Sequence, residues 1–259
     1  MKDIEYGIFM PVGSGGWIPS GNIPELDASY RYAVRLRLGL APSDTLPLTC
    51  ACGASLVRDR NHFLVCRLLV RTAMTSRHDH IVRTCATVAR ATGAEVLVEP
   101  DFDGGRPDAE VAWAEGVDFV DVRVTHPGAS ALRSAQRPLG AAAVQERRKN
   151  RRYAELARNV QALFVPLVFE TYGAFAEGTQ DYVGKLALGR LSQPDGVDLP
   201  DQRAPIMQRL AVALQNGNAR VQEEGLRRAR GAAGGDRAPR MLGHPDYIFQ
   251  LRPPRGGRG

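Results

Sequence analysis

Disulfides, membrane spans and nucleotide loops are all poorly provided for in this chain. Four cysteines among 259 residues are too few for a disulfide scaffold. No apolar run approaches the roughly 18 residues that would cross a bilayer, so no spanning helix and no membrane partner are expected. The opening stretch MKDIEYGIFMPVGSGG has acids early and only a short apolar segment, so it does not read as a secretory signal, and an intracellular protein is expected. Gly13-Ser14-Gly15-Gly16 lacks the Lys-Ser/Thr ending of a phosphate-binding loop and no strand feeds it; it reads as an ordinary loop. No internal repeat is apparent.

What is present supports a folded core. Hydrophobic residues make up 44% of the chain, above the range of disordered segments, and the length suits one large domain with or without a small appendage. The formal net charge of +6 favours a polyanionic partner, nucleic acid before membrane. An Arg- and Ala-rich composition arises equally from a GC-rich coding sequence.

The pattern along the chain predicts a mixed α/β fold. Residues 1–25 read as irregular, 27–39 as a short helix capped by Asp27 and stopped by Gly39, and 40–49 as a linker. A helix over 76–92 takes Ser76 as N-cap, Asp79 at its third position and Gly93 as its stop. Residues 94–99 read as a strand closed by Pro100, followed by a turn-rich link over 101–107. Two further strands, 108–114 and 117–125, flank the Glu115-Gly116 turn. A long helix over 139–165 is expected to end at Pro166, with more helix over 168–191 and 203–230 and a low-complexity tail over 231–259.

Three of the four cysteines crowd together. Cys50, Cys52, His62 and Cys66 follow the spacing C-x-C, nine residues, H-x-x-x-C. Three thiolates and an imidazole can close a tetrahedral Zn²⁺ site with no open position, which is the structural kind. A loop this small cannot hold itself by burial, so metal would supply its folding energy. The competing reading is a cluster of buried free cysteines with a chance histidine. His78 and His80 lie further on, outside a ligand set already complete.

The two strands at 108–125 carry paired acids. A hairpin folded at Glu115-Gly116 returns Asp121 opposite or diagonal to Asp108. Val120, Val122 and Val124 share one face, and Asp121 and Arg123 the other. Adjacent carboxylates repel unless a cation joins them, and Mg²⁺ or Mn²⁺ suits hard oxygen ligands. The alternative is a pair of surface aspartates at a hairpin base. The next helix shifts the balance. Its apolar seam of Ala142, Leu156, Val160 and Leu163 passes through Glu146, Lys149 and Tyr153, placing polar groups on the inward face. Arg147, Arg148, Arg151 and Arg152 form a basic stripe suited to a phosphate backbone or simply to solvent.

Together these residues resemble the C-terminal region of non-LTR retrotransposon polyproteins whose endonuclease is restriction-like. The resemblance rests on Cys50, Cys52, His62 and Cys66, then Arg77-His78-Asp79, then Arg106-Pro107-Asp108 and, with twelve residues between the two aspartates, Asp121, then Lys149 and Arg152-Tyr153. It covers roughly residues 30–190, and FVPLVFETYGAF and LQNGNAR further on are similar to the tails of those proteins. It implies a PD-(D/E)XK restriction-endonuclease-like core, a mixed sheet flanked by helices. The implied division is a linker over 1–49, a CCHC zinc knuckle over 50–75, the nuclease core over 76–166, a helical C-terminal extension over 167–230 and the tail over 231–259. It also implies Asp108 and Asp121 as ligands of a catalytic Mg²⁺ or Mn²⁺, Lys149 as the catalytic lysine carried on the helix after the strand, and structural Zn²⁺ in the knuckle. Arg152 replaces the lysine of the family's Lys-Tyr step, and Arg123 stands where the wider nuclease pattern has lysine. The DNA target would be nicked to prime reverse transcription of the element's RNA, in the nucleus. No Tyr/Phe-x-Asp-Asp polymerase motif occurs, so a fragment without the polymerase portion is expected. The alternative is a non-catalytic, nucleic-acid-binding remnant.

Overall fold

The computed structural model describes residues 27–100, 106–128, 138–191 and 202–233. The expected irregular N-terminal stretch, the loop at Gly13, the turn over 101–105 and the tail beyond 233 lie outside the described residues. The order is α1 (Asp27–Arg37), α2 (Thr75–Arg90), β1 (Glu95–Val98), β2 (Ala109–Trp113), β3 (Gly116–Thr125), α3 (Gly140–Asn159), β4 (Ala162–Glu170), α4 (Glu177–Leu191) and α5 (Arg203–Ala233). The result is a mixed α/β protein with a four-stranded mixed sheet flanked by helices.

The sheet runs β1-β2-β3-β4. The first three strands form an antiparallel meander, and β4 returns parallel to β3 through the α3 crossover. Such a return needs a long connection, which α3 supplies. Val111, Val120, Val122, Val165, Leu167 and Phe169 enter a core shared with α2, α4 and α5. On the opposite face Phe119 and Phe164 meet Ala157 of α3, and Val168 meets Ala142. The two faces of β3 therefore part as the alternation predicts, valines to one side and Phe119 and Asp121 to the other.

Two expectations fail here. The helical reading of 139–165 and 168–191 misses a strand: α3 stops at Asn159, Gln161 takes a left-handed φ of 59°, and β4 runs through Pro166. That strand is buried from Phe164 to Glu170 on both faces, so apolar residues run on without the alternation that marks a half-buried strand. Pro166 is tolerated because β4 is an edge strand. Consequently Val160 and Leu163 are exposed residues beyond the helix, not part of its seam, and a core boundary at 166 falls inside β4. Ser76 is not an N-cap either. α2 continues from a single π turn over Val70–Met74, whose carbonyls already serve the first amides of α2.

The cysteine-rich segment has its own small core but is not a separate unit. Leu36 of α1, Leu56, Phe63, Leu64 and Leu69 pack with Val221, Leu226 and Ala229 of α5. Phe63 lies so close to Gly225 that a Cβ there would sit 2.4 Å from the ring. No described helix is long and apolar enough to cross a membrane.

Candidate active site

At the cysteine cluster one ligand atom each from Cys50, Cys52, His62 and Cys66 lies within 4.8 Å of the others. The tight C-x-C turn is closed by two bonds, Gly53 N–H to the Cys50 carbonyl and Cys50 N–H to the Ala54 carbonyl, both 2.8 Å. Gly53 supplies the left-handed φ of 88°. His62 opens a short 3₁₀ helix, His62–Val65, and Cys66 follows its end. Cys50 Sγ lies 3.7 Å from Cys66 Sγ, and Cys52 Sγ 3.1 Å from His62 Nε2. Burial pushes the Cys50 thiol up to about 12 and raises Cys66. Burial also opposes ionisation of Cys52, but the Ala54 amide and His62 outweigh it and bring that thiol to about 7. The four side chains can hold a metal ion, and their soft donor set and closed geometry suit zinc.

The carboxylate site lies where β2 begins and β3 passes its midpoint. The ladder pairs Ala109 with Val120, so the next rung sets Asp108 against Asp121. Asp108 Oδ2 accepts two hydrogen bonds, from the Val122 amide at 2.6 Å and from His78 Nε2 at 3.0 Å. Its Oδ1 has no protein partner among the described residues. Asp121 is buried, and its Oδ2 forms an ion pair with Lys149 Nζ on α3. The other oxygen, Asp121 Oδ1, has no protein partner among the described residues. Burial raises the Asp121 carboxyl above its usual range and Asp108 adds to the effect; Lys149 and His78 pull it back without cancelling the rise.

Lys149 stands 5.6 Å from the Tyr153 ring, and Arg152 covers the same ring at 5.0 Å. Tyr153 in turn packs on Phe164. The wall beside Asp121 is apolar, lined by Phe119, Tyr153, Leu156 and Phe164, with Arg106 at its edge. Arg106 itself is paired with Glu99 at 2.6 Å. Arg147, Arg148, Arg151 and Arg152 are all exposed on the outer side of α3. Glu146 is not a site residue: its carboxylate accepts the Gly178 amide at 3.1 Å and caps the start of α4.

One participant escaped the sequence reading. His78 lies thirty residues from Asp108 and meets it only because α2 crosses the hairpin. Asp79 Oδ1 is 3.2 Å from the other ring nitrogen. Burial favours the neutral ring, but the Asp108 and Asp79 carboxylates outweigh it and lift His78 to about 10, so both nitrogens donate. The only sequence signal was the Arg77-His78-Asp79 triplet. A second buried acid, Asp118, is paired instead with Trp113 Nε1 and Lys185 Nζ, both 2.6 Å away, on the α4 side of the sheet. No protein-family model matches the chain, and no curated protein matches it.

Proposed function

We propose that the chain is a divalent-metal-dependent DNA endonuclease of the PD-(D/E)XK type. It carries a CCHC zinc knuckle and derives from a restriction-like non-LTR retrotransposon protein. The observation that carries this reading is the convergence of Asp108, Asp121 and Lys149 on one side of the sheet, with the Oδ1 atoms of both aspartates without a protein partner among the described residues. Asp108 Oδ1 and Asp121 Oδ1 would hold Mg²⁺ or Mn²⁺. When bound, such an ion lowers the pKa of an attacking water and draws charge from a phosphodiester.

The chain's own groups supply the rest. Lys149 is held against Asp121 and Tyr153, where its ammonium stabilises negative charge growing on a scissile phosphate. The exposed arginines of α3 track the neighbouring backbone and set register without reading sequence. Arg123 and Arg152 cannot serve as bases because a guanidinium does not give up its proton. Cys50, Cys52, His62 and Cys66 would bind structural zinc, remote from the chemistry.

The test is conversion of supercoiled plasmid to open circle in Mg²⁺ or Mn²⁺, with Asp108→Ala as comparison. Nicking by the parent protein and none by the variant is the expected result. A chain that binds DNA but never nicks it in either metal would be the non-catalytic nucleic-acid-binding remnant instead.

A further inference from the structure

Arg77 and His78 are consecutive on α2 yet serve different neighbours. Arg77 is 5% exposed, and the structure gives it no carboxylate partner among the described residues. Its Nη1 donates to Asn218 Oδ1 of α5 at 2.8 Å, and its buried Nε has no partner. Asn218 Nδ2 passes the connection on, donating to the Thr171 carbonyl at 2.7 Å. Thr171 N–H donates to the Thr125 carbonyl at 2.9 Å, which reaches the end of β3. Beside Asn218, Gly217 lets the two helices touch: a Cβ there would lie 2.3 Å from Arg77 Cγ and 3.2 Å from its Cα. The contact with Arg77 Cβ, at 2.8 Å, is one that no side-chain rotation relieves.

An apolar residue would fill the Arg77 position at lower cost, since a buried charge without a counter-charge is destabilising. What the arginine provides is direction. It fixes the first turn of α2 in rotation and height against α5 and the ends of β3 and β4. The next residue, His78, is thereby held at 3.0 Å from Asp108 Oδ2. That bond and the Val122 amide occupy a single oxygen of Asp108 and fix the plane of its carboxylate.

We propose that His78 is a positioning residue for the Asp108 carboxylate, and that the Arg77–Gly217–Asn218 seat on α5 sets its reach and so governs how tightly a divalent cation is held. The proposal rests on the reading of Asp108 and Asp121 as a metal site. Partners that orient a ligand from behind typically change metal affinity by about 10- to 100-fold.

The experiment is titration of the full chain with MnCl₂, free Mn²⁺ being read by electron paramagnetic resonance, with thermal melts run alongside. His78→Ala should weaken Mn²⁺ binding by about 10-fold or more. His78→Gln, whose side-chain amide can still donate, should recover most of the loss. Asn218→Ala should weaken Mn²⁺ binding in the parent and add little in the His78→Ala background, because both act through one contact. A merely structural Asn218 would lower the melting temperature equally in both backgrounds and leave Mn²⁺ affinity alone, which overturns the proposal. So would parental Mn²⁺ affinity in His78→Ala. A parent chain that takes up no Mn²⁺ at its carboxylates overturns the metal reading and this inference together.

Discussion

Acidification should strain the fold through His126, which sits just past the end of β3. The ring is 7% exposed, its Nδ1 lies 2.7 Å from Thr171 Oγ1, and the Tyr172 ring is 5.3 Å away. Burial lowers its pKa to about 4; Asp59 works against the shift and Arg77 adds to it. An unfolded histidine titrates near about 6.5. Between these values the unfolded chain binds more protons than the native one, so stability falls as pH falls. The loss attributable to this ring is about 2 kcal/mol at pH ~5 and about 3 kcal/mol at pH ~4, relative to neutral pH. Urea unfolding at several pH values, in the parent and in His126→Asn, isolates the effect. The substitution carries its own packing cost at neutral pH, but the difference between the two proteins should shrink by that amount on acidification. Parallel stability curves for the two proteins from neutral pH to about 4 would refute the assignment of a buried neutral ring.

Four further outcomes follow from the geometry. Purified protein should contain about one Zn²⁺ per chain, and chelation should raise hydrogen exchange in the C-terminal half of α5, where Phe63 packs on Gly225; well-folded, zinc-free protein would count against the knuckle. Lys149→Ala should lower nicking by roughly 100-fold while sparing DNA binding, and parental rates in that variant would remove the lysine from the mechanism. DNA affinity should fall steeply between low and physiological salt and should fall less steeply after Arg148→Ala and Arg151→Ala, as counterion release requires. Gly217→Ala should lower the melting temperature, because its Cβ would lie 2.8 Å from Arg77 Cβ; an unchanged melt would show that α2 and α5 can separate without cost.

The carboxylate hairpin was legible in the sequence because both of its signals are local. Glu115-Gly116 marks the turn, and Val120, Val122 and Val124 alternate with Asp121 and Arg123. Lys149 was legible for a related reason: a lysine on the inward line of a helix needs a partner, and the parity of β3 turns Asp121 toward that helix. β4 was not legible. Burial on both faces erased its alternation, and Pro166 reads as a helix stop unless the strand is known to lie at an edge. The cysteine spacing disclosed a possible ligand set, but not that its core is completed by Val221, Leu226 and Ala229 from the far end of the chain.

α5 was legible as a helix and illegible as a device. Gly217 and Gly225 interrupt a good helical pattern, and from sequence alone each is a local cost of about 1 kcal/mol relative to alanine. In the fold they lie eight residues apart, about two turns, and so fall near one face of the helix. Each marks a place where another segment comes too near for a Cβ: Arg77 at the first and Phe63 at the second. One segment leads to the Asp108 carboxylate through His78, and the other belongs to the cysteine cluster. The same helix therefore braces both candidate metal sites. If the two glycines were incidental, alanine at either would disturb only its own neighbourhood. If α5 is a common strut, Gly225→Ala should weaken Mn²⁺ binding at the distant carboxylates as well as loosening the cysteine-rich segment.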